Sequence, residues 1–353
     1  MLDRMNLVAL AKAAVKAEKN APVAYSFDGQ NYSYDEVQKT LREELNSLAG
    51  NIYDYNQNKN LIFSVVSEVI DEFLPKKVEG IYSMLAEVRQ YPQGTTPEFK
   101  IKSAASRLRA KTFITRAAME GVYEVFKLGG AQTVKIQATA FAGAAQVGFE
   151  EVLDGRVDFA ELIDIVIEGI EDRIQEEVAL GLSAGLAQLP AVNKVEFAGF
   201  SAEQFDHLLV IAKGYGSGNP VIYCDQMFAS KLLPNTDAAM VPEAVKAELW
   251  EKGYLGYYKQ CPVVILPNGL KDHTNDGYTL QYGPENCYIM PGTGMKPIFI
   301  GFEGETQVRE YENRDWSKEI QMYKKVGVGV HFTKDICVYT DTSLKGKDSY
   351  SRV

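Results

Sequence analysis

Residues 158–189 read DFAELIDIVIEGIEDRIQEEVALGLSAGLAQL, and the interpretation of the whole chain depends on this stretch. It contains no proline, and apolar side chains recur in it every three or four residues. This spacing predicts one long helix with a single apolar stripe. At about 1.5 Å per residue the helix would be roughly 45 Å long, which exceeds the width of a small domain. The predicted stripe consists of Phe159, Ile163, Val166, Ile170, Ile174, Val178 and Leu182.

Acidic side chains lie mostly away from this stripe, and they allow two interpretations of the helix. Carboxylates on a helix can bind a metal ion in a catalytic bundle, but such bundles also use Glu-x-x-His motifs on facing helices. No histidine lies within or beside the stretch, so a cytoplasmic metal-carboxylate enzyme is the weakest alternative. A structural helix whose acids face solvent or a neighbouring chain is favoured. The acids are Glu161, Asp164, Glu168, Glu171, Asp172, Glu176 and Glu177.

The composition excludes several classes of protein. The chain has 353 residues, 46% of them hydrophobic and 24% charged, which is typical of a globular protein long enough for two or three domains. No run of eighteen apolar residues exists, so we expect no membrane partner. The N-terminus lacks the apolar core of a signal peptide, and we expect a protein made in a reducing cytoplasm. The net charge of −10 argues against a general nucleic-acid binder, which needs basic surface to hold phosphates.

The sequence contains no motif that predicts nucleophilic catalysis or a metal site. Neither GxSxG nor a cysteine-protease motif is present. We expect His207 in the middle of a helix, at the boundary between its buried and exposed faces, and a partly exposed His331 within the final strand. We therefore assign no catalytic, cofactor-binding or metal-binding residue, and we expect no cofactor and no enzymatic activity. Cysteines without a CxxC motif argue against a zinc site and a disulfide framework. They are Cys224, which we expect in the core, Cys261, Cys287 and Cys337.

The glycine-rich segment KGYGSGNP does not fit a phosphate-binding loop. Such loops run from a strand through glycines into a helix, so that the helix N-terminus faces the anion. Here the predicted order is helix, glycines, strand, and the GK[ST] ending is missing. We expect a helix C-cap at Gly214 followed by a turn.

Residues 1–80 are predicted to be mostly helical, with short helices joined by polar turns. An amphipathic pattern comes first, and a capping box, Ser33-Tyr34-Asp35-Glu36, then begins a helix that runs to about Leu48. Residues 51–60 are polar and turn-like, and a further helix follows before Pro75. Such helices are more typical of an arm that packs on another part of the structure than of a domain with a closed core of its own.

From about residue 82 to 145 the chain is rich in Thr, Lys, Arg, Ala and Gly, and VKIQATAF alternates as a strand does. So few large apolar side chains cannot build a core, and we predict an extended hairpin that packs on a neighbouring chain. A basic stretch between Glu98 and Glu120 allows contact with nucleic acid or with an acidic neighbouring subunit. Subunit contact is favoured because the stretch has few aromatic residues and the body of the chain is acidic. The basic residues are Lys100, Lys102, Arg107, Arg109, Lys111 and Arg116.

After Pro190 the pattern is α/β. A second capping box at Ser201 predicts a helix to about Lys213, and Asp225 follows the buried strand PVIYC and caps a helix. Residues 242–250 are a further predicted helix, CPVVILP is a predicted strand, and CYIM and PIFIGF are short ones. In SKEIQMYKKVGVGVHFTKDICVYT, apolar residues alternate with polar or small ones, which predicts one long strand with one buried face.

The order of these pieces resembles that of the major capsid proteins of tailed bacteriophages, which have the Hong Kong 97-type fold. The closest local similarity is VKIQATAFAGAAQVGFEEVLDGRVDFAELIDIVIEGIEDRIQEEVALGLSAGL, where a strand, Glu151-Val152-Leu153-Asp154 and the spine helix follow one another. The resemblance rests on order and spacing and covers most of residues 80–345. It implies an α+β, Hong Kong 97-like capsid fold with an N-terminal helical arm (1–80), an extended β-hairpin loop (81–145), a peripheral domain with the spine helix (146–200), an axial domain (201–304) and a peripheral return strand with the C-terminus (305–353).

That resemblance implies a structural protein that self-assembles as pentamers and hexamers into the icosahedral head shell of a tailed double-stranded DNA phage. Its partners would be further copies of itself, scaffolding and portal proteins, and DNA that the shell encloses without sequence-specific binding. Decoration proteins remain an open question. The protein would be found in the virion after assembly in the host cytoplasm. Because the sequence begins at Met1, we expect a separate scaffolding protein instead of a cleaved N-terminal segment.

Two questions stay open at this point. An encapsulin-type nanocompartment shell shares the fold, but it has a shorter N-terminal region, so the long arm favours the phage interpretation. Some capsid proteins of this kind crosslink their subunits through a lysine in the extended loop, an asparagine and a glutamate. Lys100, Lys102, Lys111 and Asn313 are the available residues, and no pattern assigns a crosslink to them.

Overall fold

The computed structural model describes residues 4–16, 25–27, 30–49, 51–101, 132–145, 159–215, 218–232, 252–292, 296–312 and 318–351. Its mixture of helices and sheets confirms the predicted α+β class. The chain divides into two compact units, each built from three segments of sequence. Unit 1 comprises Met1–Pro97, Ile136–Ile174 and Ile300–Val328, and unit 2 comprises Glu98–Lys135, Gln175–Phe299 and Gly329–Val353.

Three helices at the start of unit 1 pack against one another. They are α1 (Arg4–Lys16), α2 (Tyr34–Ala49) and α3 (Ile52–Tyr82), and a hairpin of β1 (Tyr25–Phe27) and β2 (Gln30–Tyr32) lies between the first two in the sequence. The sequence predicted an arm that packs on another part of the structure. In the structure the three helices contact one another, and each buries apolar side chains. The buried residues include Leu7, Ala11, Val37, Leu41, Leu45, Val69, Ile70 and Leu74.

One of the two hydrogen bonds of the predicted capping box is seen at the start of α2. The backbone N–H of Ser33 donates to a carboxylate oxygen of Glu36 at 2.9 Å, and the backbone N–H of Val37 donates to the Ser33 carbonyl at 3.0 Å. The helix ends at Ala49, one residue beyond the predicted end. Local side-chain chemistry was therefore sufficient to place this helix.

The two breaks predicted around α3 are wrong. Its polar first turns are helical because the side-chain oxygen of Asn51 accepts hydrogen bonds from the backbone N–H groups of Tyr53 and Asp54, at 3.0 and 2.9 Å. Pro75 lies inside the helix and removes one backbone donor. Leu74 and Val78 on either side of it are fully buried. The packing of these neighbours keeps the chain helical through the proline.

A four-stranded sheet completes unit 1. Its strands are β3 (Ala86–Tyr91), β14 (Ile298–Glu312), β15 (Lys318–Val330) and β6 (Thr139–Ala145), in that order across the sheet. β6 is antiparallel to β15. The segment PIFIGF was predicted as a short strand, but it begins β14, which is 15 residues long.

The segment VKIQATAF was predicted as part of one extended hairpin, and the structure divides it between two sheets. β5 (Gln132–Lys135) pairs antiparallel with β4 (Glu98–Ile101) in unit 2, whereas β6 belongs to unit 1. The division falls at Ile136, which is buried and whose backbone N–H donates to the Pro97 carbonyl at 3.0 Å. That tertiary hydrogen bond could not be inferred from local alternation.

The long helix is α4 (Phe159–Leu186), and it runs from unit 1 into unit 2. Of the predicted stripe, Ile174, Val178 and Leu182 are buried, and Val166 and Ile170 are half-buried. The side chains of Phe159 and Ile163 lie outside the described part. Ile167, which the stripe did not include, is also buried. The packing role of the stripe as a whole stays a prediction.

In unit 2, α4 very closely approaches the last residue of β15, Val330, and the segment that follows it. A Cβ atom added to Gly181 would lie 2.6 Å from Cγ2 of Val330, and one added to Gly185 would lie 2.9 Å from two ring carbons of Phe332. Both distances are shorter than van der Waals contact. The missing side chains at these two positions therefore allow the close contact.

A six-stranded sheet forms the centre of unit 2, with helix α5 (Ala202–Tyr215) packed on it. Large apolar side chains, including Phe205, Phe228 and Tyr339, are buried together with all four cysteines in this core. The strands, in order across the sheet, are β7 (Lys194–Phe197), β16 (Cys337–Asp341), β13 (Asn286–Met290), β8 (Val221–Cys224), β10 (Cys261–Ile265) and β9 (Tyr257–Tyr258).

Smaller elements complete unit 2. The predicted cap at Asp225 is present, because its carboxylate accepts from the Met227 N–H at 2.8 Å at the start of the short helix α6 (Gln226–Ala229). Gly214 lies within the last turn of α5, not after it.

The predicted helix at residues 242–250 and the Glu151–Asp154 segment lie outside the described residues. The remaining elements are a sheet of β11 (Leu270–His273), β12 (Gly277–Leu280) and β17 (Ser349–Ser351), and two 3-10 turns, Ala191–Asn193 and Thr342–Leu344.

The single long strand predicted for the C-terminal region is wrong. β15 ends at Val330, before His331, and β16 begins at Cys337 in a different sheet. A turn separates them, held by the buried side chain of Asn193, whose Nδ2 donates to the Lys334 and Ile336 carbonyls at 2.8 Å each. The alternating pattern continues through the turn, so periodicity could not reveal the break.

The glycine contact in unit 2 leads to a test of stability. Gly181→Val should lower the free energy of unfolding by about 2 kcal/mol, because overpacking forces the helix away from Val330. Gly169→Ala is the control on the same helix, where an added Cβ meets nothing within 4 Å of the described atoms. It should raise stability by about 0.5–1 kcal/mol through helix propensity. Urea unfolding followed by circular dichroism measures both, and equal effects of the two variants would contradict the close contact.

Candidate assembly surfaces

An ion pair between the buried Lys324 and the half-buried Asp71 joins helix α3 to the sheet of unit 1. Lys324 on β15 is only 3% exposed, and its Nζ lies 2.6 Å from Oδ1 of Asp71 on α3. The same ammonium donates to the Gly304 carbonyl on β14 at 2.7 Å. The backbone N–H of Thr306 donates to both Asp71 oxygens at 3.0 Å, and its hydroxyl donates to Oδ1. One carboxylate on the helix therefore binds groups from two neighbouring strands.

Sequence reasoning missed this cluster, although a signal for it was present. Lys324 occupies the same alternating register as Met322 and Val326, so a charge sits where a buried face is expected. Asp71 likewise lies between buried positions of α3, Ile70 and Leu74. An isolated charge on each of two apolar faces indicates a buried ion pair, but only the fold shows that the two charges meet.

An open groove of about 580 Å³ lies beside this cluster, between α1, α3 and β14. Arg4 forms an ion pair with Glu68 at 3.0 Å, and Lys12 pairs with Glu72 at 2.7 Å, so α1 and α3 are linked along the groove. The Lys12 and Lys76 ammonium groups lower the pKa of Glu72 to about 2. Of these charged side chains, Arg4 and Glu68 line the groove and neutralise one another.

The described residues offer no arrangement of reactive groups that would indicate catalysis. Within them, no group of three or more His, Cys, Asp and Glu side chains could hold a metal ion. Burial raises the pKa of the Cys337 thiol to about 12 and also raises the pKa of Cys261, which makes both poor nucleophiles. His207 and His273 are exposed, and His331 is half-buried. In the part of the chain the structure covers, no helix is long and apolar enough to span a membrane.

A second buried carboxylate stabilises the end of the central sheet in unit 2. Asp341, at the end of β16, is fully buried, and its Oδ2 accepts from the Lys231 ammonium at 2.7 Å. Its Oδ1 accepts from the backbone N–H groups of Gly199 and Ser343, each at 2.8 Å. Burial alone would raise the pKa of Asp341, but the Lys231 ammonium, the Ser343 hydroxyl and these N–H groups together lower it to about 2.

Of the predicted contact residues in the basic stretch, the structure describes one. Lys100 is exposed on β4, next to Phe99, which is fully buried with its ring centroid 4.9 Å from that of Phe299. The buried phenylalanine anchors the strand and leaves the lysine directed outward. The other basic residues, Lys102, Arg107, Arg109, Lys111 and Arg116, lie outside the described residues, as does Asn313.

The acids of α4 divide into paired and exposed groups. Glu171 pairs with Lys77 at 3.0 Å within unit 1, and Glu176 lies 3.8 Å from Lys271 within unit 2. Glu168, Asp172 and Glu177 are exposed. The side chains of Glu161 and Asp164 are outside the described part. Two of the acids therefore have partners within their own unit, while the exposed ones are available to solvent or to another chain.

Two sequence comparisons relate this chain to a prophage-derived family. A family model described as "SPbeta prophage-derived putative capsid protein YonB" matches residues 6–340. The SPbeta prophage-derived uncharacterized protein YonB of Bacillus subtilis (strain 168) is 24% identical over 284 residues, covering 77% of this chain and 81% of its own length.

Several solved structures match this chain at low sequence identity and with TM-scores below 0.5. The virus-like particle from Pyrococcus furiosus is 14% identical, with a TM-score of 0.43 over 79% of this chain and 99% of that chain. The capsid of the native GTA particle is 13% identical, with a TM-score of 0.46 over 74% and 89%. The holo-SrpI encapsulin complex from Synechococcus elongatus PCC 7942 is 11% identical, with a TM-score of 0.40 over 72% and 92%.

The buried ion pair predicts a large effect from a single substitution. Lys324→Met removes the ammonium and leaves the Asp71 carboxylate without its charge partner, which should lower the free energy of unfolding by about 3 kcal/mol. Lys39→Met is the matched control, because Lys39 lies 3.9 Å from Glu43 in a pair whose side chains are 76% and 67% exposed. Its effect should stay within about 0.5 kcal/mol. A Lys324→Met variant as stable as the wild type in urea would disprove a structural role for the pair.

The Asp341 cluster predicts an acid-dependent loss of stability. Because the folded-state pKa of about 2 lies below the ordinary value of 3.8, this carboxylate stabilises the folded chain above about pH 4. The contribution, about 2 kcal/mol, is lost as the pH falls towards 2. Asp341→Asn should therefore lower stability at pH 6 and have a much smaller effect at pH 2.5, in urea titrations at both pH values. A variant with the same deficit at both pH values would show that the carboxylate charge is unimportant.

Proposed function

The chain belongs to the YonB family, and on this premise we propose that it is the major capsid protein of a tailed double-stranded DNA phage. The observation that carries the proposal is the family match itself, which extends from residue 6 to 340 and so includes segments of both units. The chain is a structural component of the virion. Its copies assemble as pentamers and hexamers into the icosahedral head shell, and its mechanism is association, not catalytic turnover.

The contacts between copies use charge complementarity in this proposal. The basic stretch that contains Lys100 and Arg107 extends from one copy and docks on an acidic surface of the next. Exposed acids of α4, such as Asp172 and Glu177, supply acidic surface of that kind. Opposite charges across an interface speed association and set its register more than they raise its affinity.

The interior of the shell holds double-stranded DNA without reading its sequence. A net charge of −10 supports this part of the proposal, since an acidic wall repels phosphates and lets the DNA be packed without adhering. A scaffolding protein guides assembly in the host cytoplasm, and a portal protein provides the entrance for DNA.

Electron microscopy of the purified protein tests the assembly directly. The chain is expressed with its candidate scaffolding protein and examined by negative staining, and closed shells of uniform size are expected. Discrete small oligomers under all conditions would refute the capsid function. Shells that enclose a protein cargo and exclude DNA in a packaging reaction would instead identify an encapsulin-type nanocompartment.

A charge-reversed variant in the same experiment tests the role of the basic stretch. Lys100→Glu combined with Arg107→Glu should keep the subunit folded and greatly reduce shell formation, because like charges then face each other. Lys39→Glu, an exposed lysine of α2 outside the stretch, is the control for added negative charge. Normal shells that package less DNA would show that the stretch contacts nucleic acid instead.

A further inference from the structure

The strand β6 (Thr139–Ala145) presents an open edge. Within the described residues it is the outer strand of the four-stranded sheet of unit 1, next to β15. Thr139, Ala140, Ala142 and Gly143 are all exposed. In an outer strand, the N–H and C=O groups of every second residue point away from the sheet and can pair with another strand.

Protective features that proteins place on edge strands are missing from β6. Its sequence, TAFAGAA, has no charged residue and no proline, and its seven register pairs with β15 continue without a bulge. The opposite edge strand, β3, has Glu87 and Arg89 and is followed by Pro92. Charges, prolines and bulges prevent unwanted pairing at a sheet edge. The two edges of the same sheet therefore differ, and only β3 is protected in this way.

Gly143 leaves open space on one face of β6. Glycine inside a strand is unfavourable, and it is typical of places where another backbone comes close. Its backbone is not among those with a positive φ, and a Cβ added to it would meet nothing within 4 Å of the described atoms. Gly143 and Ala142 instead line an open cavity of about 620 Å³. Neither a turn nor packing within the described chain requires the missing side chain.

We propose that β6 pairs antiparallel with β6 of a second copy of this chain, around a twofold axis at Ala142. This inference rests on the proposed function, which requires contacts between copies. In this register Ala142 lies opposite the partner's Ala142, and Phe141 lies opposite the partner's Gly143. The two four-stranded sheets then form one continuous sheet of eight strands.

The sequence of β6 is complementary to itself in this register. Phe141 is half-buried in the single chain, and its ring covers the open space above the partner's Gly143, as aromatic residues do beside glycines in strands. No two large side chains oppose each other, and no like charges meet. A second copy is thus a better occupant than a charged or bulky segment, and a twofold contact places the same patch of both copies face to face.

Charge placed on the axis tests the pairing. Ala142→Lys and Ala142→Glu each put like charges directly opposite one another, which should raise the subunit concentration needed for shell assembly by at least about fivefold. Mixing the two variants should restore assembly, because Lys then lies opposite Glu. Gln90→Lys is the control on the exposed part of β3 and should assemble as the wild type does. Circular dichroism and thermal unfolding check that each subunit remains folded.

The outcomes separate this inference from the proposed function. If the wild type forms shells and the single Ala142 variants do so equally well, the strand pairing is refuted and the capsid function stands. If both single variants fail but their mixture is not restored, β6 does not lie opposite itself, and the twofold register is refuted. Hydrogen exchange gives a second measurement, since the pairing predicts slower exchange for residues 139–143 in wild-type shells than in free subunits. Unchanged exchange in those shells would also overturn the pairing.

Discussion

The contact between the Lys324 ammonium and the Asp71 carboxylate connects parts of unit 1 that lie 253 residues apart in the sequence. Taking the Lys324 ammonium out of water costs several kcal/mol, and only good geometry with further hydrogen bonds offsets this cost. Thr306 and Gly304 provide those bonds from the neighbouring strand. The cluster fixes which turn of α3 faces β14 and β15, and so it positions the helix on which α1 and α2 also pack.

Unit 2 depends on a different constraint, the close packing of a helix on an extended segment. Gly181 and Gly185 allow α4 to approach Val330 and Phe332 within a distance that no other residue would permit. Asn193 then ties down the turn that follows, so that β16 can enter the central sheet beside β13 and β7. For a shell subunit, such rigid contacts matter because each copy must present the same surfaces to its neighbours.

Local signals in the sequence predicted some elements correctly and failed at others for identifiable reasons. The capping box at Ser33 and the cap at Asp225 were recognised because each involves atoms only two or three residues apart. The division of VKIQATAF between two sheets was missed because it depends on the Pro97 carbonyl, far away in sequence. Among the candidate surfaces, Lys100 was predicted as a contact residue and is exposed, but its role as a contact stays a prediction.

The sequence by itself determined several of the helices and strands, the approximate length of α4 and the mixed α+β class, since helix ladders, caps and apolar periodicity arise from residues close together in the chain. Only the tertiary structure decided that α3 continues through Pro75, that β15 and β16 belong to different sheets, and that Lys324 meets Asp71. It also decided that β6 is an edge strand, which its apolar sequence does not reveal. The physical reason is that strand partners and buried charges are set by segments brought together from distant parts of the chain, and local periodicity contains no information about which segments meet.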